Sequence, residues 1–555
     1  MVRGGRPAAP LPAAGLFLLA ATLACSSPPD SGGLATVEAV FLRTRTLADQ
    51  IDVTTARVAD ASIHGVPLAE LRSTYAAARD TLVALLETMD SAALAEQDQR
   101  VFADLRRTVA RSLGLDPEPA VDGGQAAQPD CRYDPVAVLV TDTSGAELSD
   151  RIMDCYGAAA GAVMVDGDTL DRLSIFGLLR TTPNGPRRRR LFLALEPVWR
   201  SVNADGSPTS AWRLLLQARA PAWQRDGMPH VRRARALGVE PDSVEPWLVR
   251  ALEAWRATEP AELVEPWDWY FRTGEASRIL EGRVPRERLL AINHEFYRAL
   301  GADPESLHIQ YDLDPRPGKY PVAYTTFGAR PGMSGEGWST GEPWVFANYR
   351  GGGFGNLQEL LHETGHGVHI AAIRTRPAWA TWPDSDTFTE AVAELASLDA
   401  WAPAWQLRYL GDSVSSTAGR RGEWGSTMLD LVWALFEIRM FRDPALDPNQ
   451  VWADLTSRYL GIRPHPEWSW WAMRGQLIGS PGYMLNYSLG AFLVTALRER
   501  IQAERGVALG DPDPGWYGFV SERLFRYGRE RPSAEVVREF LGGPLTPDAL
   551  LRELK

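Results

Sequence analysis

Two histidines four positions apart, with a glutamate directly after the first, stand in Leu357-Gln-Glu-Leu-Leu-His362-Glu363-Thr-Gly-His366-Gly-Val-His369. Positions i and i+4 of a helix share a face, so His362 and His366 can turn their imidazoles toward one divalent cation. Glu363, one residue round, then sits where it could act as general base on water beside that cation. This is the chemistry of metal-assisted hydrolysis, and the segment holds three of the chain's eight histidines.

Zinc, the expected cofactor at one per chain, takes three protein ligands at a catalytic site and keeps one position open. A metzincin would supply a histidine ten residues after His362, but that position is Ala372, which excludes the class. The next candidate is Glu390 in Asp386-Thr-Phe-Thr-Glu390-Ala-Val-Ala-Glu394, with 23 residues between it and His366. Thr387-x-x-Glu390 is also a capping-box pattern, so a structural role at a helix start competes with the ligand role. The upstream motif favours the ligand. Glu394, one turn on, can accept from the far nitrogen of a ligand histidine and fix its tautomer.

These groups need helices to hold them. The segment from 357 to 369 reads as a helix, and between 36 and 115 apolar residues recur at helical spacing (Leu68, Leu71, Tyr75, Leu82, Leu85, Leu86). Strand character is confined to short runs such as 136–140 and 344–348, the latter expected as an edge on which an extended peptide could lie. Gly351, Gly352, Gly353 and Gly355 lack the spacing of a phosphate loop and imply a close-packed or flexible turn. Arg187 to Arg190 reads as a solvated loop, and Trp468, Trp470 and Trp471 as core more than channel wall. No repeat appears at periods of 20 to 50 residues.

The 58 Lys+Arg against 70 Asp+Glu leave a charge of −12, which argues against nucleic acid as a partner. Residues 1–25 read as a signal peptide, with Arg3 and Arg6 before an apolar stretch that ends in Thr22-Leu-Ala-Cys25. Cys25 in that setting is a candidate for lipidation, and Ser26 after it matches outer-membrane sorting. The expected location is the periplasm or cell envelope, with the membrane touched only through that anchor. Residues 26–34 form a tether, 35–115 an N-terminal helical region, 116–130 a linker and 131–555 the catalytic region. Export leaves Cys131 and Cys155, which an oxidising compartment would let pair. Nothing in the sequence specifies an oligomeric state.

The motif His-Glu-Thr-Gly-His-Gly-Val-His resembles the H-E-x-G-H-x-x-H segment of the oligopeptidase F and thimet oligopeptidase family of zinc metallopeptidases. The family's distal glutamate in an E-A context matches Glu390-Ala391. Pro317-Gly-Lys319-Tyr-Pro-Val322-Ala-Tyr324 is similar to the family's G-K-x-x-G-A-Y region, with Val322 where glycine is usual. Gln476-Leu-Ile-Gly-Ser-Pro481-Gly-Tyr483-Met-Leu-Asn-Tyr487 is similar to its H-x-x-x-x-P-x-Y-x-x-x-Y segment. Gln476 replaces a histidine that contacts substrate there and in the related angiotensin-converting dipeptidyl carboxypeptidases, and its amide can still donate. The likeness spans Tyr311 to about Arg500.

By this resemblance the fold is mainly α: a large helical metallopeptidase with a deep channel between two halves, zinc at its floor and a short strand region beside the zinc helix. A phenol O–H beside the metal can donate to a carbonyl oxygen as it gains charge, with Tyr487 the first choice and Tyr483 the second, against core packing for both. Arg474 stands where the dipeptidyl carboxypeptidase branch grips the substrate's terminal carboxylate, against a surface salt bridge. The expected substrates are short peptides cut internally. The rivals are release of C-terminal dipeptides by the same site, and a non-catalytic lipoprotein that binds peptide or metal.

Overall fold

The computed structural model describes residues 33–57, 62–112, 131, 145–204, 206–316, 319–320, 322–334 and 337–555. Three helices open it, α1 (Leu34–Ala56), α2 (Leu68–Thr88) and α3 (Glu96–Ser112). One end of α1 buries Val37 and Phe41 against Leu82, Val101, Phe102 and Leu105 of α2 and α3. Its later turns place Leu47 and Ile51 against Trp344 and Phe346, so α1 closes two apolar clusters at once. Buried ions fix the same contact. Arg330 donates from Nε and Nη2 to Asp49 at 2.5 and 2.8 Å, and both side chains are only 7% exposed. A two-point guanidinium–carboxylate pair of this kind offsets the desolvation that a single charge there would suffer.

The chain continues through α4 (Arg172–Thr181), α5 (Gly185–Leu193) and α6 (Pro266–Thr273). The arginine run expected as a loop lies in α5: Asn184 caps the helix, and Pro186 occupies its first turn. Arg188 is buried there, bonded to Asp268 at 2.5 Å and to the Thr182 and Pro183 carbonyls, so that position has a structural partner the charge pattern did not reveal. Cys131 and Cys155 form a disulfide. Residues 1–25, the 116–130 linker and the 136–140 run lie outside the described residues, as does most of the tether.

A three-stranded sheet flanks the chemistry-bearing helices: β1 (Gln310–Asp312), β2 (Tyr324–Ala329) and β3 (Glu342–Phe346), in the order β1-β3-β2. β1 runs parallel to β3 with Gln310 beside Trp344, and β2 runs antiparallel to it with Thr325 opposite Val345. The 344–348 run is therefore central, ending at Phe346, and β1 and β2 are the edges. Central placement suits its residues, because Pro343 to Phe346 are all buried and such a strand needs cover on both sides. The register breaks at Gly328, where a Cβ would fall 2.4 Å from the Trp344 ring.

Four further helices complete the frame: α7 (Phe354–Ala372), α8 (Asp386–Ser397), α9 (Ser416–Arg442) and α10 (Met484–Arg505). α7 starts after Gly352 and Gly353. A Cβ on Gly352 would lie 1.9 Å from the Val284 carbonyl, and Gly353 has φ 103°, so the glycine run is a close-packed turn. α8 packs across α7 and along α10, which also packs on α9. Trp470 and Trp471 lie in the core with Trp212, Trp433 and Trp452. Among the described residues no helix is long and apolar enough to cross a membrane.

Candidate metal centre and substrate cavity

α7 brings His362, Glu363 and His366 to the floor of a cavity of about 740 Å³, and α8 faces them with Glu390 and Glu394. The cap of α8 is Ser385, whose hydroxyl accepts from the Phe388 N–H at 3.3 Å. That frees Glu390 from the capping role and leaves its carboxylate on the cavity side. Glu390 Oε2 lies 3.5 Å from His362 Nε2 and 3.9 Å from His366 Nε2, and the three donor atoms lie within 4.8 Å of one another. Ligands about 2.1 Å from a tetrahedral zinc stand about 3.4 Å apart, so the His362–Glu390 separation matches the edge of such a site and the wider ones would close on a bound ion. His, His and Glu are also the donor set of a zinc hydrolase with one position open.

The surrounding groups orient this set. Glu394 Oε1 is 3.0 Å from His362 Nδ1, and the Ser397 hydroxyl donates to Glu394 Oε2 at 2.6 Å. That places Glu394 where it can hold the imidazole with Nε2 toward the metal position. Burial works against charge on Glu390, yet hydrogen bonding to His362 and the nearby imidazoles bring its carboxyl down to about 2. Burial and the charge of His362 push His366 down to about 4, so its imidazole is neutral at pH 7, as a ligand must be. For His362 burial opposes protonation, but Glu394 and Glu390 outweigh it and hold the group well above its usual range. Metal binding would therefore displace a proton from His362.

Glu363 is 7% exposed, and burial raises its carboxyl to about 7 against the opposing influence of His362 and Thr325. Thr325 Oγ1 on β2 lies 2.8 Å from both the Glu363 carbonyl and Oε2. A carboxyl poised near neutrality and steadied by a hydroxyl suits proton transfer in either direction.

Tyr483 and Tyr487 both line the cavity, with their rings 5.6 Å apart. Tyr483 Oη donates to Glu390 Oε1 at 3.4 Å. Tyr487 has no such tie to a ligand; burial raises its phenol, and Gln476 is a hydrogen-bond partner that partly counters this. Glu437 of α9 clamps the turn ahead of both, accepting from Gly482 N–H at 2.6 Å where Gly482 takes φ 79°. Arg474 pairs with Asp430 and stacks over Trp433 at 4.7 Å; neither Arg474 nor Gln476 is part of the cavity wall.

Several wall residues carried no motif: Thr325, Arg180, Glu359 and Glu423. Thr325 adjoins the quoted Ala323-Tyr324 pair, yet a threonine in a strand is ordinary, and only the fold sets it on Glu363. Burial raises both acids, Glu423 to about 8. His369, which shares the zinc motif, is fully buried between Trp382, Phe388 and Phe525 and takes no part in the ligand set.

No family model and no curated protein matches the sequence. Solved structures do. Trypanosoma cruzi metallocarboxypeptidase 1 aligns at 14% identity and a TM-score of 0.50, over 95% of this chain and 99% of the other. An M32 carboxypeptidase from Deinococcus radiodurans R1 gives 13% and 0.55 over 93% and 97%. A structure named as an oligoendopeptidase F gives 17% and 0.54 over 95% and 96%. Over nearly its whole length this chain therefore has the large, mainly α fold shared by oligoendopeptidase F and the M32 carboxypeptidases.

Proposed function

We propose that this protein is an exported zinc metallopeptidase that hydrolyses peptide bonds in short peptides. The observation that carries the reading is the convergence of His362, His366 and Glu390 from two helices on one point, at the wall of a cavity large enough for a peptide segment. A zinc ion held by these three would act as a Lewis acid, polarising the scissile carbonyl and acidifying water. Glu363 takes the proton from the attacking water and delivers it to the departing amine, a round trip suited to a carboxyl near 7. Tyr487 donates a hydrogen bond from its phenol O–H to the carbonyl oxygen as charge develops there. Glu394 holds His362, and Tyr483 holds Glu390. β2 brings Thr325 to Glu363 at the cavity wall. The metallocarboxypeptidase and oligoendopeptidase names of the structures sharing this fold agree with peptide hydrolysis. Support for export and for lipidation at Cys25 comes from the sequence of residues 1–26.

The test is mass-spectrometric mapping of a mixed peptide library incubated with the zinc-loaded mature chain, beside Glu363→Gln and a chelator control. Loss of cleavage in both controls, about 10²- to 10⁴-fold for Glu363→Gln, is the expected result. The cut positions separate internal cleavage from release of C-terminal dipeptides. A folded, zinc-loaded chain that cuts nothing would leave binding of peptide or metal as its role.

A further inference from the structure

Arg180, at the end of α4, lines the same cavity as the metal-ligand group. A guanidinium has five N–H donors, and among the described residues Arg180 spends one on a side chain, Nη2 to Ser426 Oγ at 2.9 Å. Among the described residues no carboxylate lies within 4.0 Å of it. Three buried arginines are matched by acids, Arg188 to Asp268, Arg330 to Asp49 and Arg498 to Asp399, whereas buried Arg213 donates to the Pro444 and Ala445 carbonyls. The two acids nearest Ser426 on α9 are Glu423, which shares the cavity wall, and Asp430, which is bonded to Arg474. Arg180 is thus a cation on the cavity wall whose side-chain partner among the described residues is a hydroxyl, with Asp430 near it but bonded to Arg474.

Its backbone is held firmly. Gly274 packs so closely that a Cβ there would lie 2.6 Å from Arg180 Cβ, and Arg278 donates to the Arg180 carbonyl at 2.7 Å. A fixed stem with one hydroxyl partner presents the remaining N–H groups without a large ordering cost when an anion arrives. Burial disfavours the charge, and Arg474 adds to that while Tyr270 and Asp430 ease it, so an arriving anion relieves a strain already present. The wall around it is rich in hydroxyls, from Thr273, Ser277, Ser426 and Thr427.

We propose that Arg180 receives a carboxylate of the bound peptide, oriented by the Ser426 hydroxyl, and so makes an anionic group part of substrate recognition. The carboxylate is either the peptide's own C-terminus or an Asp or Glu side chain. This rests on the peptidase reading for the identity of the ligand; the placement of Arg180 does not depend on it.

The test measures calorimetric binding to the zinc-loaded Glu363→Gln chain, so that no turnover is needed. One pair of peptides differs only in a free or amidated C-terminus, and a second, amidated pair differs only in Asp or Asn. The expected result is a binding advantage of about 10- to 100-fold for the charged member of one pair. Adding Arg180→Gln removes it and leaves the uncharged member within twofold. The pair that shows the effect names the source of the carboxylate. Ser426→Ala, which leaves the guanidinium in place, should reduce the same ratio about threefold and keeps the test decisive if Arg180→Gln folds poorly. Charged-to-uncharged ratios that neither substitution changes overturn the inference while the peptidase reading stands. Failure of Glu363→Gln to bind any peptide, together with no cleavage by the wild type, overturns both.

Discussion

Replacing Gly365 by alanine should loosen the metal site without touching a ligand. Gly365 lies where α7 crosses α8, and a Cβ there would stand 2.4 Å from the Ala393 carbonyl oxygen and 3.0 Å from Ala393 C and Cα, all backbone atoms. Relief to an ordinary contact of about 3.4 Å requires the helices to part by about 1 Å, because no side chain is present to swing away. His362 and His366 flank Gly365 on α7, and Glu390 is three residues before Ala393 on α8. The separations of 3.5 and 3.9 Å therefore open together, toward a spacing that zinc with ligands at about 2.1 Å cannot bridge. Overpacking of this kind costs about 1–3 kcal/mol, offset in part by the up to about 1 kcal/mol that alanine gains over glycine in a helix. Thermal unfolding of the metal-free protein reads that net loss. Competition with a chromophoric chelator should show zinc affinity down about 10- to 100-fold. Gly490→Ala is the control, since its Cβ would meet only the Thr387 carbonyl oxygen at 4.0 Å. Zinc binding by Gly365→Ala within twofold of the wild type would show that the crossing does not set the ligand spacing.

Tyr487→Phe should lower kcat about 10²- to 10³-fold with zinc affinity unchanged; an effect confined to KM would remove Tyr487 as the oxyanion donor. Glu437 is 1% exposed, and burial raises its carboxyl from 4.5 to about 8. Native protein then holds a proton that unfolded chain has released, so stability falls as pH rises from about 4.5 through 8 and levels off above. Denaturation midpoints across that range should fall less steeply in Glu437→Gln, and parallel curves for the two proteins would count against a protonated Glu437. Reduction of Cys131–Cys155, which are 24 residues apart, should destabilise the chain by about 3.5 kcal/mol on the loop-entropy relation, read as a lower thermal midpoint; an unchanged midpoint would mean the bridge constrains nothing.

The candidate metal-ligand group was legible because its information is local. A helix converts the spacing of His362 and His366 into a shared face, and Glu363 follows from its position one residue on. Glu390 was harder, since its segment fits a helix cap equally well, and only the hydroxyl of Ser385 taking that role resolves the competition. Legibility fails where partners come from afar. The 344–348 run has the composition of any strand, and its central place depends on β1 and β2 arriving on either side. Four arginines in a row look solvated until Asp268, 80 residues on, claims Arg188. Arg474 and Arg180 are indistinguishable as sequence; what separates them is that Asp430 bonds the one and the cavity exposes the other.

The clasp between α1 and the rest of the molecule sets an order of events. Asp49 meets Arg330 across 281 residues, and Glu38 meets Arg376 across 338. At about 5–20 residues per second of synthesis, α1 waits about 15 to 70 s for these partners to exist. Meanwhile Leu47 and Ile51 have only Ile63, Leu71 and Ala78 of their cluster beside them, and Trp344 and Phe346 are still to come. α1, the first helix to emerge, thus locks onto the sheet only after residues 330 to 376 have followed, and a chain that loses α1 would leave Arg330 without its counter-ion.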